Sequence, residues 1–356
     1  MLSFLKEFIE SNPENKITYA DFITQVLYHP EHGYYMKDKI KIGREGDFIT
    51  SSNVSNIYGQ AIAKWFLQQV KEYKLTPSVC EIGAGSGRFA QAFIEEWYKQ
   101  TSEELHYYIL EASPYHRNLQ REIIPFGENV RQIENLAEIT RFEGLIFSNE
   151  LFDAFPVHVI EVDGEQIMEV MITFENEQLV EKLVPLTNER IFSFLAESGL
   201  RLANGQRIEI PLQMEAMVEE IAHTLEKGMV LTVDYGYSNE EWQAPWRREG
   251  SLRGYYQHQQ MNNILEHPGE MDITSHIHFD SFIRLGSRYG LQFYQKWRQD
   301  EFLMLTGIIE ELQENYDPNP FSEVSKRNRA IRSLVLPSGM SSAFHVVLQT
   351  KGLEQK

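Results

Sequence analysis

Between residues 78 and 150, short apolar runs alternate with helical patterns, and this alternation is the mark of parallel strand-helix-strand construction. The runs predict strands at Ser78–Ile82, Tyr107–Leu110, Val130–Ile133 and Leu145–Ser148, with helices in the gaps. After Pro156 the pattern changes to alternating segments, His158–Val162 and Gln166–Phe174, which predict antiparallel strands, and a helix follows near Gln213–Leu225. The sheet resumes at Met229–Asp234. The tail offers Leu291–Trp297 and Phe344–Thr350 as an antiparallel finishing pair. Between them lie a helical run, Asp300–Asn315, and a loop holding Pro318, Pro320 and Pro337. Helices are also predicted at Leu2–Ile9 and Ile57–Tyr73, separated by an irregular stretch whose middle, Gly33 to Ser55, reads as a lid or arm.

The expected fold is therefore α/β: a mostly parallel, Rossmann-like sheet with helices on both faces, carrying an inserted α+β region and an N-terminal helical arm. The corresponding divisions are an arm over 1–75, a first core half over 76–156, an insertion over 157–226, and the rest of the core with substrate-facing loops over 227–356.

Where the first strand turns into its helix stands Glu81-Ile82-Gly83-Ala84-Gly85-Ser86-Gly87. Glycines there supply positive φ and let a ligand approach the backbone, and they also occur in such turns for packing alone. A dinucleotide fingerprint would place its third glycine one position later, where this chain has Arg88. The spacing favours S-adenosylmethionine (SAM) over NAD(P), and an NAD(P)-linked oxidoreductase is the runner-up enzyme class. Glu111, at the end of the second strand, can accept both hydroxyls of an adenosyl ribose. Glu81 can orient the methionine ammonium, directly or through water, or cap the following helix.

The fourth strand ends in Ser148-Asn149-Glu150-Leu151-Phe152-Asp153-Ala154-Phe155-Pro156, at the carboxyl edge where open α/β sheets hold ligands. Glu150 can grip a guanidinium and accept a proton, with Asn149 fixing the geometry. Alternatively Asn149 and Asp153 are helix caps, and Phe152 and Phe155 are core. Arg253, beside Tyr255 and Tyr256, is either an anion clamp or a packed surface element. The Tyr34-Tyr35-Met36 segment covers an adenine, receives a peptide, or packs on the first helix.

Charge narrows the partners. With 33 Lys+Arg against 52 Asp+Glu, the net charge of −19 repels a phosphate backbone, so nucleic acid is excluded as an expected substrate, and a cationic protein is compatible. The single cysteine, Cys80, permits no internal disulfide and no Cys-based zinc site, which fits a reducing cytoplasm. The N-terminal segment reads as an amphipathic helix and not a targeting peptide, and no apolar stretch approaches the ~18 residues that cross a bilayer. No membrane insertion is expected. A homodimer is compatible with the sequence. His276 and His278, near Asp272 and Asp280, have a two-residue spacing, but methyl transfer requires no Lewis acid and no metal is expected.

Six ordered blocks carry a family resemblance. They are Gly46-Asp47-Phe48-Ile49-Thr50-Ser51, the Glu81–Gly87 turn, Asn149–Pro156, Asp234-Tyr235-Gly236-Tyr237, Leu252-Arg253 with Tyr256 and His258, and His267-Pro268-Gly269-Glu270-Met271-Asp272-Ile273-Thr274-Ser275-His276. Over nearly its whole length the chain resembles the MidA-like methyltransferases, whose mitochondrial members assist respiratory complex I assembly. It departs from the family pattern at Ser52-Asn53, where Pro-Glu is usual, and at Ala84 and Ser86, where the common turn is Gly-Pro-Gly-Arg-Gly. The resemblance implies a class I methyltransferase fold with seven strands, SAM as cofactor, and a protein substrate methylated on arginine. It implies cofactor contacts from Asp47, Thr50, Glu81, Gly83, Ala84, Gly85, Ser86, Gly87, Glu111 and Ala112. It further implies catalysis by Glu150, Asn149 and Asp153, and substrate contacts from Arg253, Tyr256, Asp272 and His276. A non-catalytic SAM-binding assembly chaperone is the other reading of the same blocks.

Overall fold

The computed structural model describes residues 1–38, 56–313, 319, 321–336 and 343–354. The chain forms two compact units, each assembled from three segments: Met1–Phe48, Phe152–Val218 and Gly236–Leu285 in one, and Ile49–Leu151, Glu219–Tyr235 and Gly286–Lys356 in the other. The division follows spatial packing and not chain order. Helix Ile57–Tyr73 joins the unit of the large sheet, whereas 236–285 groups with the inserted segment.

The large sheet contains strands β1 (Ser78–Ile82), β2 (His106–Leu110), β3 (Val130–Ile133), β4 (Phe142–Asn149), β5 (Leu225–Tyr237), β6 (Gln292–Arg298) and β7 (Phe344–Lys351). Their order is β6-β7-β5-β4-β1-β2-β3. β1 to β5 are mutually parallel, and β7 runs antiparallel to both β5 and β6. The first three strands step outward from β1 and the fourth returns to its other side, so a topological switch lies between β1 and β4. In open α/β sheets the ligand crevice opens at the carboxyl ends beside such a switch.

All five residues of β1 are buried, as a strand covered by helices on both faces requires. Helices Ile57–Tyr73 and Arg88–Gln100 pack together through Phe66 and Trp97, and Phe89 stacks on Phe147 of β4 with centroids 4.3 Å apart. These rings lie in one apolar core that continues through Leu145, Leu231 and Val346. The third helix of this half, Pro114–Ile123, begins with proline and is capped by Ser113, whose side chain accepts from the His116 amide.

The other unit is built on an antiparallel sheet in which Lys16–Thr18, Gln166–Glu175, His158–Asp163 and Arg207–Ile210 are neighbours in that order, with Gln178–Pro185 paired to Gln166–Glu175. Helices Leu2–Glu10 and Tyr19–Tyr28 bury Leu5, Ile9, Phe22, Ile23 and Val26 against Val170 and Ile172. A three-stranded sheet sets Arg253–Tyr256 between Gln259–Met261 and Asp272–Thr274. At the end of β5, Gly236 and Tyr237 pair in parallel with Ile277–His278, an eighth strand off the main path.

Several elements differ from the periodicity reading. The stretch taken as irregular after Ile9 contains helix Tyr19–Tyr28, started by a reciprocal cap between Thr18 and Asp21. Strands Gln178–Pro185 and Arg207–Ile210 and helix Glu189–Ser198 fill the insertion beyond the two predicted strands. The helix predicted over Asp300–Asn315 stops at Leu305, because Gly307 takes a left-handed φ of 78° and leads into a single 3-10 turn, Ile308–Glu311. The proline-bearing loop contains a helix, Glu323–Val335, capped by Ser322; Pro318, Pro320 and Pro337 lie outside the described residues. Most of the expected lid, residues 39–55, also lies outside them.

One buried carboxylate organises the segment before Arg253. Both Glu209 oxygens accept the Ser251 amide at 3.0 Å, and Oε2 also accepts the Ser251 hydroxyl at 2.8 Å. The Ser251 hydroxyl in turn accepts the His276 amide at 2.9 Å. Glu209→Ala would strand these buried donors, and we expect a loss of about 3 kcal/mol of stability, measured by urea unfolding of the full chain. An unchanged midpoint would show that the network is not what holds this segment.

Candidate active site

The glycine turn follows β1 directly. Gly83, Gly85 and Gly87 have φ of 75°, 52° and 81°, the left-handed region that other residues enter at a cost. A side chain would also collide. A Cβ on Gly87 would stand 2.8 Å from Gln120 Cγ, and one on Gly83 would stand 3.0 Å from Leu151 Cδ1. The second distance shows that the segment after β4 lies against the turn.

Glu111 ties the turn down. Its Oε2 accepts the Gly85 amide and its Oε1 the Ser113 amide, both at 2.8 Å, while the Gln120 side-chain amide donates to the Gly85 carbonyl at 2.7 Å. Each Glu111 oxygen retains a lone pair, so the expected acceptance of ribose hydroxyls is compatible with this second duty. Ala112 is exposed beside it, Ala84 is buried under the turn, and Ser86 is half-buried.

Glu81 is only 4% exposed, and the Tyr107 hydroxyl donates to its Oε2 at 2.8 Å. Burial pushes the Glu81 carboxyl up to about 8; the Tyr107 hydroxyl opposes the shift, and the Glu111 charge adds to it. At neutral pH the carboxyl is therefore largely protonated until a cation comes near it. A ligand carrying an ammonium and a sulfonium is the chemistry such a group accommodates. Tyr107 was not singled out from sequence, although it and Glu81 share strand parity: Val79 pairs with Tyr107 and Glu81 with Ile109.

At the end of β4, Asn149 pairs with Val233 of β5, and the Glu150 amide donates to the Val233 carbonyl at 2.9 Å. Glu150 has a φ of 53°, a backbone strain of roughly 1 kcal/mol or more for a non-glycine residue. The Asn149 side-chain amide donates to Glu150 Oε1 at 2.9 Å. The buried polar atoms without a hydrogen-bond partner among the described residues include two here, Asn149 Oδ1 and the Tyr58 hydroxyl. Burial and then the Glu150 charge raise the Tyr58 hydroxyl well above its ordinary value. Strain, a carboxylate and unpaired buried polar atoms in one place mark a site built for a ligand. No helix follows Glu150, so Asn149 and Asp153 are not helix caps.

The remaining candidates lie in the other unit. Asp153 is buried, and its carbonyl accepts the Ser275 amide at 2.8 Å. The Tyr35 hydroxyl donates to Asp272 Oδ1 at 2.6 Å, and Asp272 pairs with Tyr255 across the small sheet. Burial, then the charges of Asp272, Tyr28 and Asp153, raise the Tyr35 hydroxyl. Burial, and then the same two aspartates, raise Tyr255, with Arg253 opposing them. Asp153, Asp272 and Arg253 thus share a corner with Tyr255 and with Tyr35 of the Tyr34-Tyr35-Met36 segment. Tyr256 does not join them: its ring stacks on His267 at 4.2 Å. His276 stacks on Tyr237 at 4.3 Å and is lowered to about 4 by burial and then by Arg247 and Arg253, so it borders the same arginine with a ring face taken by Tyr237. His278 stacks on Trp242, and its Nε2 meets the Glu209 carbonyl at 2.8 Å. The two imidazoles therefore have separate aromatic partners. No metal-binding cluster occurs among the described residues. Asp47 and Thr50 lie outside those residues.

Comparison with known proteins agrees with this geometry. The solved structure of a protein from Burkholderia thailandensis described as a "likely methyl transferase", bound to S-adenosyl-homocysteine, superimposes with a TM-score of 0.90 at 26% identity, covering 99% of this chain and 92% of that one. The mitochondrial protein arginine methyltransferase NDUFAF7 of Danio rerio is 24% identical over 375 residues, 96% of this chain and 85% of its own length. The Drosophila melanogaster homolog is 25% identical over 293 residues, and the match spans 74% of this chain but only 65% of that protein. The model of the family described as "Putative S-adenosyl-L-methionine-dependent methyltransferase" matches residues 61–296, well over half of the chain. The class I fold and the SAM cofactor implied by the six sequence blocks are borne out, the NAD(P) alternative is set aside, and the chain belongs to this family of SAM-dependent methyltransferases.

Proposed function

We propose that this enzyme methylates an arginine side chain of another protein, with Glu150 as the carboxylate that faces the acceptor. The observation that carries the reading is Glu150 itself: a carboxylate in strained backbone, held by Asn149, at the carboxyl end of the strand beside the glycine turn. The names of the mitochondrial relatives support arginine as the acceptor and a protein as its bearer.

SAM, when bound, supplies an electrophilic methyl on a sulfonium. The glycine turn, Glu81 and Glu111 are the residues that would hold it. Glu150 would hold the acceptor guanidinium through paired N–H donors, localising the nitrogen lone pair toward the methyl and stabilising the positive charge that builds as nitrogen gains a carbon. The proton displaced from that nitrogen passes toward the same carboxylate. Asn149 Oδ1 and the Tyr58 hydroxyl, without hydrogen-bond partners among the described residues, would then gain partners. We also propose a reducing, cytoplasmic location, with Cys80 buried and its thiol pushed up by that burial. Among the described residues no helix is long and apolar enough to cross a membrane.

Labelled SAM incubated with the enzyme and a lysate from a strain lacking it should yield methylarginine after hydrolysis of the labelled protein. Label on a different residue type would overturn the acceptor assignment while leaving methyl transfer intact. Glu150→Gln should bind S-adenosyl-homocysteine within about twofold of wild type and lose roughly a hundredfold or more in transfer rate. Undiminished product formation would remove Glu150 from the mechanism.

Glu81 makes a prediction that depends on pH. Its folded-state value, about 8, lies above the ordinary 4.5, so its contribution to stability is present below about pH 4.5 and is lost as pH rises through 8. Compared at the same pH, Glu81→Gln should therefore gain stability relative to wild type as pH goes from 5 to 9. The same variant should bind SAM about tenfold more weakly at pH 8. A constant stability difference across that range would show that the buried carboxyl does not titrate as described.

A further inference from the structure

A cavity of about 250 Å³ lies in the sheet unit, far from the glycine turn. The aromatic rings lining it are Trp65 and Tyr73 from helix Ile57–Tyr73, Tyr294 and Trp297 from β6, and Phe302. The rings meet at steep angles: Trp65 and Phe302 at 68° with centroids 5.4 Å apart, Trp297 and Phe302 at 47° and 5.5 Å, Tyr294 and Trp297 at 41° and 6.3 Å. Rings so arranged wall a corner and do not stack flat. Two carboxylates, Glu72 and Glu354, also line it, together with the amides of Gln68 and Gln69, the hydroxyl of Thr350 and the apolar side chains of Met229, Leu305, Leu348 and Leu353. No basic side chain is among the described residues that line it.

The chemistry selects the occupant. Aromatic faces carry negative quadrupole potential and attract cations, most strongly at Trp, while carboxylates repel anions and offer nothing to a purely apolar ligand. Amide and hydroxyl oxygens around the rim suit a cation that also carries N–H donors, and a planar guanidinium combines a flat face for stacking with such donors at its edge. Distance excludes the transfer site. Met229, on the cavity wall, precedes Val233 by four strand positions, about 13 Å. Tyr73 lies about 22 Å along its helix from Tyr58.

We propose that this cavity is a second binding site, separate from methyl transfer, for an arginine side chain of a partner protein. It stands on the lining of the cavity and does not require arginine to be the methyl acceptor. The test is a ligand-observed NMR titration of the full chain, saturated with S-adenosyl-homocysteine, using methylguanidinium, with the neutral N-methylurea as control. Methylguanidinium should bind saturably. Tyr294→Ala, at a half-exposed position, and Glu72→Gln should each weaken it about threefold or more, with Trp297→Leu weakening it further. Glu150→Gln should leave this binding in place, and Tyr294→Ala should leave basal methyl transfer unchanged. Equal binding of N-methylurea would overturn the proposal, as would no saturable binding, or binding that is lost in Glu150→Gln and unaffected by the cavity variants.

Discussion

The Glu111 carboxylate bridges two backbone amides, Gly85 in the glycine turn and Ser113 at the start of the next helix, and this bridge joins the ends of two neighbouring strands into one surface. Without it, the Gly85 amide would lose its acceptor in a turn of glycines that are free to sample many shapes. With it, the turn has a single geometry before any ligand arrives. Gln120 adds a second tie from the following helix. A cofactor that meets such a surface loses little free energy to ordering the protein, which is how preorganised sites gain affinity.

Beside that ordered surface stand groups whose needs the protein leaves unmet. Glu81 is buried deeply enough to favour its proton, with one hydroxyl donor from Tyr107. Asn149 Oδ1 and the Tyr58 hydroxyl are buried without hydrogen-bond partners among the described residues, and Glu150 holds a backbone angle that costs energy. Each of these costs the folded chain free energy, and a cationic, hydrogen-bonding ligand is the chemistry that would offset the buried polar groups. Their concentration at the carboxyl ends of β1 and β4, beside the switch in strand order, joins the fold to the chemistry.

In the other unit, buried polar groups are used to fix the chain. Glu209 gathers the Ser251 amide and hydroxyl, His278 stacks on Trp242 while its ring nitrogen meets a carbonyl, and His276 stacks on Tyr237. Histidines spaced two apart suggest a metal only until their partners are seen. Here aromatic stacking and a low pKa keep both rings neutral parts of the wall.

Local sequence signals determined a great deal. Strand β1, strand β3 and helix Ile57–Tyr73 fall where the pattern places them, β1 and the helix on runs of apolar residues and β3 on a weaker signal with Arg131 and Gln132 between its apolar ends. The glycine turn, Glu111 and the Asn149-Glu150 pair were legible for the same reason: turn glycines and strand-end acids are local features. Helix Tyr19–Tyr28 and helix Glu323–Val335 were missed where nearby polar and turn-forming residues hid short capped helices, and Gly307 ended a helix that composition would have continued. Tertiary structure alone decided that Tyr107 donates to Glu81, that the Tyr58 hydroxyl is buried near the Glu150 charge, that Tyr35 meets Asp272, and that Tyr256 and His276 turn to stacking partners. Those pairings join residues tens to hundreds of positions apart. Local pattern specifies which face of an element is apolar, but which polar groups share a buried space depends on how the elements pack.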